Sequence, residues 1–288
     1  MRRIFDCFTF FNELEILELR FEEMYENVDH FVLVEANRTF QGEEKSLIYL
    51  ENKSRFLRFN DKIIHVIVDD MPISDNPWDL EHFQRNAIRR VFDRLTPNDV
   101  VIITDVDEII SRQTLKILRK LDGYFQLNMP MYQYYFNFRE SINGWDKAFA
   151  FSFDLIDKVR DFNEIRDNTQ TSFHSFSGNN ISLNNSGWHF TYMGGASSIR
   201  EKLNAYSHGR EDWPEKLKKP GGVELQITAG FAVGNEWHLN EYVPIDESFP
   251  KFVIDNKTKY EQLNLVKNLY IALKEQQSLI RDLYHRSV

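Results

Sequence analysis

Three carboxylates, Asp105, Asp107 and Glu108, fall within four positions at the end of the run NDVVIITDVDEII, residues 98–110. Two acids at i and i+2 on a regular strand point to the same side, and at a strand end they can converge on one hard cation. Mg²⁺ or Mn²⁺ takes oxygen ligands, keeps several waters and often shares its shell with a diphosphate, so Asp105 and Asp107 are candidate metal ligands. The plain alternative is a polar strand end with a helix cap, because a bare Asp-x-Asp is a short motif. The apolar run at 100–103 tips the balance: a strand that apolar is buried on both faces, which sets its carboxyl end in the middle of a sheet. Upstream, Arg85 and Asn86 in FQRNAIRR offer a guanidinium and an amide to a phosphate or a nucleotide carbonyl; otherwise they belong to a solvated helix face.

The elements that must position these groups can be read from periodicity. Short apolar runs alternate with helical patterns over the first 130 residues, which predicts an α/β fold with a mostly parallel sheet and helices on both faces. Strands are expected at 3–10, 30–36, 62–70 and 100–108. A helix over 13–27 carries Leu14, Leu17, Phe21 and Met24 at helical spacing, and a second over 79–95 opens near Asp79. Consecutive β-α-β units bring the carboxyl ends of their strands to one edge, where open sheets bind ligands. The polar residues at those ends are Asn12 and Glu13, Glu35, Asp69 and Asp70, and Asp105 to Glu108.

The later chain predicts two antiparallel strands at 125–138 and 147–156 with a tight turn at 142–145. A further strand at 186–195 leaves through Gly194 and Gly195 into a helix at 196–208. From Tyr260 onward, Leu263, Val266, Tyr270, Leu273, Leu279, Ile280 and Leu283 predict one long amphipathic helix. The expected organisation is a main domain over 1–240 and an extension over 241–288 that packs its helix on that domain.

Composition narrows the partners. A net charge of −9 excludes a protein that grips nucleic acid through its phosphates, so an anionic ligand would need a cation to bridge it to the acidic cluster. The aromatic content, 24 Phe, 12 Tyr and 5 Trp, suits cores and sugar-facing surfaces alike. Cys7 is the lone cysteine and cannot form an intrachain disulfide. No apolar run approaches a membrane span, and an expected strand opens at the N-terminus, so the expectation is a cytoplasmic protein without signal peptide or anchor, of bacterial or viral origin. Five Asn-x-Ser/Thr triplets are then chance. Oligomeric state is not legible.

The segments FDCFTFFNELEILELRF, FVLVEANRTFQG, FQRNAI, DVVIITDVDEI and GWHF, in that order, closely resemble glycosyltransferase family 17 over about residues 3–210. The resemblance implies a GT-A-type, Rossmann-like nucleotide-sugar-binding fold, with a mixed central sheet flanked by helices and a C-terminal helical extension. It implies a nucleotide-sugar donor, UDP-N-acetylglucosamine in characterised members, with a divalent cation, Mn²⁺ or Mg²⁺, a saccharide acceptor, and inversion at the anomeric carbon. By similarity Asp105 would touch the ribose and metal, Asp107 would ligate the metal that holds the diphosphate, Glu35 would lie near the uracil or ribose, and Arg85 and Asn86 match the Arg-Asn found ahead of the Asp-x-Asp; Asn12, at the end of the first strand, is a further candidate for the donor site. No counterpart of the animal members' membrane anchor is expected, so their location and N-glycan acceptor are not carried over as expectations.

Within that frame His189 in GWHF is a candidate metal ligand or diphosphate donor, against a core histidine on an aromatic strand. Lys202 and His208 would close over the phosphates, against a solvated basic face. Inversion needs a general base for the acceptor hydroxyl. Glu211 and Asp212 beside Trp213, and Asp146 beside Trp145, are the candidates. Two other classes compete: a metal-dependent hydrolase of nucleotide sugars or phosphate esters, and a saccharide-binding protein without activity. A haloacid-dehalogenase-type phosphatase fits less well, since its Asp-x-Asp ends the first strand and has Thr or Val where this chain has Ile109.

Overall fold

The computed structural model describes residues 2–141, 144–176, 179–207, 215–232 and 235–275, with Asp282 and Arg286 beyond. The chain divides into two compact units, residues 1–129 with 145–189, and residues 130–144 with 190–288. The expected boundary after residue 240 falls inside the second unit.

The first unit is a mixed seven-stranded sheet with helices. Its strands are β1 (Ile4–Phe10), β2 (His30–Ala36), β3 (Ile63–Val68), β4 (Val100–Asp105), β6 (Tyr124–Met129), β9 (Trp145–Ser152) and β10 (Asn180–Leu183), in the order β10-β6-β9-β4-β1-β2-β3. β1 to β4 are mutually parallel, and β9 runs antiparallel between β4 and β6. The helices are α1 (Leu14–Met24), α2 (Ile48–Glu51), α3 (Pro77–Asn86), α4 (Arg112–Leu118), α5 (Phe162–Asp167) and α6 (Thr169–Ser175). Two short strands, β5 (Glu108–Ile110) and β11 (Gly187–Thr191), pair antiparallel beside the main sheet. Val100, Val101, Ile102 and Ile103 are fully buried, as a central strand between two helix layers requires. β1 has β2 on one side and β4 on the other, so the order of connection reverses at the β1/β4 boundary, where Thr9 lies opposite Asp105. That reversal opens a crevice at the carboxyl ends.

α3 begins two residues earlier than Asp79, because the Asn76 side chain accepts from the Trp78 N–H and Pro77 occupies the first turn, where its missing N–H costs nothing. It tightens into a 3₁₀ segment at Ala87–Arg94 rather than continuing as α-helix. β6 and β9 are antiparallel neighbours as expected, with Phe125 opposite Ala150, but no tight turn joins them. Pro130 has no N–H to extend the ladder, and residues 130–144 pass into the second unit. Residues 142 and 143 of the expected turn lie outside the described residues.

The second unit contains β7 (Met131–Gln133), β8 (Phe138–Glu140), β12 (Phe231–Ala232) and β13 (Asn235–Tyr242), with antiparallel pairs β7–β8, β8–β13 and β13–β12. Its helices are α7 (Gly195–Ala205), α8 (Glu215–Lys218), α9 (Gly222–Ala229), α10 (Lys251–Asp255) and α11 (Lys267–Glu275). Tyr134, Phe138, Ile199, Leu203, Leu217, Val223 and Leu265 form its core. The expected helix from Tyr260 is replaced by a 3₁₀ turn at Glu261–Leu263, an extended stretch, and then α11. The reason is tertiary: the Asn137 side chain donates to the Leu265 carbonyl at 2.9 Å and accepts from its N–H at 2.7 Å, while the Phe136 N–H donates to Leu263 at 2.8 Å. Those bonds claim the backbone groups a helix would use. Leu279, Ile280 and Leu283 lie outside the described residues. Among the described residues no helix is long and apolar enough to cross a membrane.

Candidate functional site at the end of β4

β4 stops at Asp105, and Val106 and Asp107 turn the chain into β5. The three carboxylates therefore do not share one side. Asp105 points to the switch point, where one oxygen accepts from Thr9 Oγ1 at 3.0 Å and Arg85 Nη2 at 2.8 Å, and the other from Arg166 Nη2 at 2.7 Å. Burial alone would raise its carboxyl, and Asp107 pushes the same way, yet the Arg166 and Arg85 guanidiniums outweigh both and hold it well below the ordinary carboxylate range.

Glu108 is fully buried. Its carboxylate accepts from the Asp105 N–H at 3.0 Å, from Trp145 Nε1 at 2.6 Å and from two nitrogens of Arg166 at 2.7 and 3.0 Å. Four donors on one carboxylate make it an internal brace of the turn. Asp107 projects elsewhere: its Oδ1 lies 3.5 Å from His189 Nε2, with both side chains almost wholly buried. His189 reaches this position because β11 pairs with β5 in a register that sets it opposite Glu108. Its imidazole packs on the Trp145 ring at 4.4 Å between centroids, and its Nδ1 is buried with no hydrogen-bond partner among the described residues. An orphaned buried nitrogen costs about 1–3 kcal/mol unless something bonds it.

The donor set can be tested against a divalent cation. Among the described residues no group of three His, Cys, Asp or Glu side chains is arranged to hold a metal. Asp107 with His189 supplies two ligands, one oxygen and one nitrogen, which fits a cation whose remaining positions are filled by diphosphate oxygens and water. Asp105 fits that role less well than the sequence suggests, since three donors already occupy its oxygens.

The remaining expected residues separate. Arg85 lies in the network, also donating to Glu81 at 2.9 Å and Asn163 at 2.5 Å, and its Nε has no hydrogen-bond partner among the described residues. Asn86 ends α3, its Oδ1 buried with no hydrogen-bond partner among the described residues. Asn12 is half-buried at the entry to α1, where its carbonyl accepts from Leu14 at 2.9 Å. Glu35 is fully buried, accepting from the Tyr49 N–H at 2.7 Å through one oxygen and facing His65 Nε2 at 3.0 Å through the other. Asp146 accepts from Thr169 Oγ1 at 3.0 Å. In the second unit, Lys202 is buried, its ammonium 5.5 Å from the Tyr192 ring and 5.1 Å from Tyr206. Glu211, Asp212 and His208 lie outside the described residues.

Two arginines escaped the sequence reading. Arg166 bridges Asp105 and Glu108 from α5, and Arg20 reaches the same turn from α1. Arg20 carried a signal, because it sits between Leu17 and Phe21 on the apolar stripe of its helix, where a cation needs a buried partner. Arg166 carried only the argument that three carboxylates at a buried strand end need more cationic charge than Arg85.

The profile of glycosyltransferase family 17 matches residues 1–233. The human protein named beta-1,4-mannosyl-glycoprotein 4-beta-N-acetylglucosaminyltransferase is 24% identical over 300 residues, covering 91% of this chain and 55% of its own length. The rat protein of the same name is 24% identical, covering 91% and 54%. The chain spans about half the length of the curated relatives it matches. Among solved structures, HddC from Yersinia pseudotuberculosis aligns with 67% of this chain and 91% of its own at 10% identity and a TM-score of 0.38. The profile extends from the first strand through β11 and so takes in every residue of the Asp105, Asp107 and His189 cluster: the chain belongs to glycosyltransferase family 17.

Proposed function

We propose that this chain moves a sugar, N-acetylglucosamine from UDP-N-acetylglucosamine, to a hydroxyl of a saccharide acceptor with inversion at the anomeric carbon. The observation that carries the reading is the buried Asp107–His189 pair just beyond the carboxyl end of β4, beside a carboxylate held ionised by two arginines. Family membership and the names of the relatives support the donor and the reaction class.

Asp107 and His189 would hold Mn²⁺ or Mg²⁺, which when bound neutralises charge on the departing diphosphate. The chain's own residues do the rest. Arg85 and Arg166 keep Asp105 charged at neutral pH and fixed in rotamer, so it can accept from ribose hydroxyls without reorganising. Trp145 packs on the His189 ring and shields the pair from bulk water, which strengthens its electrostatics. In the transfer itself the acceptor oxygen bonds to the anomeric carbon as the carbon–phosphate-oxygen bond breaks, and the hydroxyl proton passes to a carboxylate base. Glu211, Asp212 and Asp146 are the candidates for that base.

A thermal-shift titration tests the reading. UDP should raise the melting temperature only when Mn²⁺ is present, by an amount that grows with ligand concentration above its dissociation constant. Asp107→Ala should lose the shift while keeping its own melting transition. Stabilisation of Asp107→Ala equal to wild type would refute the site. Release of free sugar at the same rate with and without saccharide acceptors would instead make the protein a nucleotide-sugar hydrolase.

A further inference from the structure

The turn that presents Asp107 has an unusual backbone problem. The carbonyls of Asp105, Val106 and Glu108 all point inward to one place, and each is a buried acceptor that must be satisfied. A single nitrogen, Arg20 Nη1, satisfies them, at 3.0, 3.2 and 2.8 Å. Three convergent carbonyl dipoles repel one another, and a permanent cation at their focus reverses the sign of that interaction.

Arg20 is itself immobilised. It is fully buried, its Nε donates to Asp6 at 2.7 Å and its Nη2 to Asp6 at 2.5 Å and to Thr104 Oγ1 at 2.6 Å, and its guanidinium lies 4.3 Å from the Phe8 ring centre. Asp6 and Phe8 are alternate residues of β1 and Thr104 belongs to β4, so the anchor rests on the two strands that flank the switch point. The contacts of Arg20 lie on β1, on β4 and on the inner side of the turn, whereas Asp107 projects toward His189.

We infer that Arg20 is the positioning residue of the cation site: it holds the 105–108 backbone in the bend that turns Asp107 toward His189, and cation binding at that pair depends on it. This inference rests on the proposed reading of the pair as the donor-cation site. Lysine at this position keeps the charge but loses the planar fork, so it cannot serve Asp6, Thr104 and three carbonyls together.

The test is Arg20→Lys, with Asp6→Asn as a milder second variant that loosens the anchor and Val32→Ala as a control. Val32 is a fully buried β2 residue, so its truncation lowers stability without touching the turn. Two readouts are taken on the full chain: amide hydrogen exchange of residues 105–110, and the Mn²⁺ concentration giving half of the UDP-induced thermal shift. The expected result for Arg20→Lys is exchange at 105–110 faster by about tenfold or more, with β2 still protected, and a Mn²⁺ requirement raised by about tenfold or more, the range typical of losing a supporting contact to a metal ligand. Asp6→Asn should move both readouts the same way by less, and Val32→Ala should move neither. Should Arg20→Lys fail to fold, Asp6→Asn decides. Unchanged exchange, an unchanged Mn²⁺ requirement, or an equal shift in Val32→Ala overturns the inference. If wild type shows no Mn²⁺-dependent response to UDP, the donor-site reading fails, and exchange at 105–110 still decides whether Arg20 holds the turn.

Discussion

Arg166 Nη2 lies 2.7 Å from Asp105 Oδ2 and 2.7 Å from Glu108 Oε1, so one guanidinium clamps both ends of the turn between β4 and β5. The clamp holds Asp105 and Glu108 on the Arg166 side of the turn, while Asp107 projects toward His189. It also makes the turn sensitive to charge removal at a distance in sequence. Arg166→Met should leave the fully buried Glu108 and the half-buried Asp105 short of a partner and cost about 3–5 kcal/mol, the usual penalty for breaking a buried ion pair from one side. Urea denaturation of wild type and variant measures it; a loss under about 1 kcal/mol would mean that Arg85 alone compensates the turn.

Acid should act on the same clamp. The folded-state pKa of Asp105 is depressed, after the two arginines overcome burial, so its contribution to stability is complete above the unfolded value of about 3.9 and is lost as pH falls from there toward the folded value. Asp105→Asn should lower stability at pH 6 and flatten the dependence of unfolding free energy on pH below about 4. Parallel profiles for the two proteins in that window would show that Asp105 is not held ionised by its neighbours.

Gly187 controls the register that delivers His189. A Cβ built there would stand 1.9 Å from the Ile109 carbonyl oxygen, a contact that backbone cannot relieve by a rotamer change. Gly187→Ala should force β11 away from β5 and cost about 1–3 kcal/mol or more, as overpacking does. The Mn²⁺ requirement for UDP stabilisation should rise with it, since His189 would no longer sit opposite Glu108. A variant with wild-type stability and metal response would show that the register is not what positions the imidazole.

Trp145→Phe separates two roles of one side chain. It removes the 2.6 Å bond to Glu108 and keeps an aromatic ring beside His189. Stability should fall by about 1–3 kcal/mol, the cost of leaving part of a buried carboxylate unpaired. UDP should still stabilise the folded variant in the presence of Mn²⁺, because Asp107 and His189 are untouched; loss of that response would place Trp145 in the donor site itself.

Sequence by itself determined the layered architecture. The runs at 3–10, 30–36, 62–70 and 100–108 read as strands alternating with helical patterns, which obliges the strands to run parallel and brings the carboxyl end of β4 to the edge where open sheets bind ligands. It also singled out Asp105, Asp107, Arg85 and His189, four residues that the fold does bring to one turn and its immediate surroundings. What the acids do there was decided only in three dimensions. Strand periodicity predicts that residues 105 and 107 share a side, but β4 ends at 105 and the bend sends Asp105 to its arginines and Asp107 to His189. Glu35 likewise ends a strand as expected, yet Tyr49 and His65 claim it from inside. In each case the choice rests on contacts with Arg20, Arg166 or His65, residues 30 to 88 positions away in the chain, and on the cost of burying a charge unpaired, which no local pattern encodes.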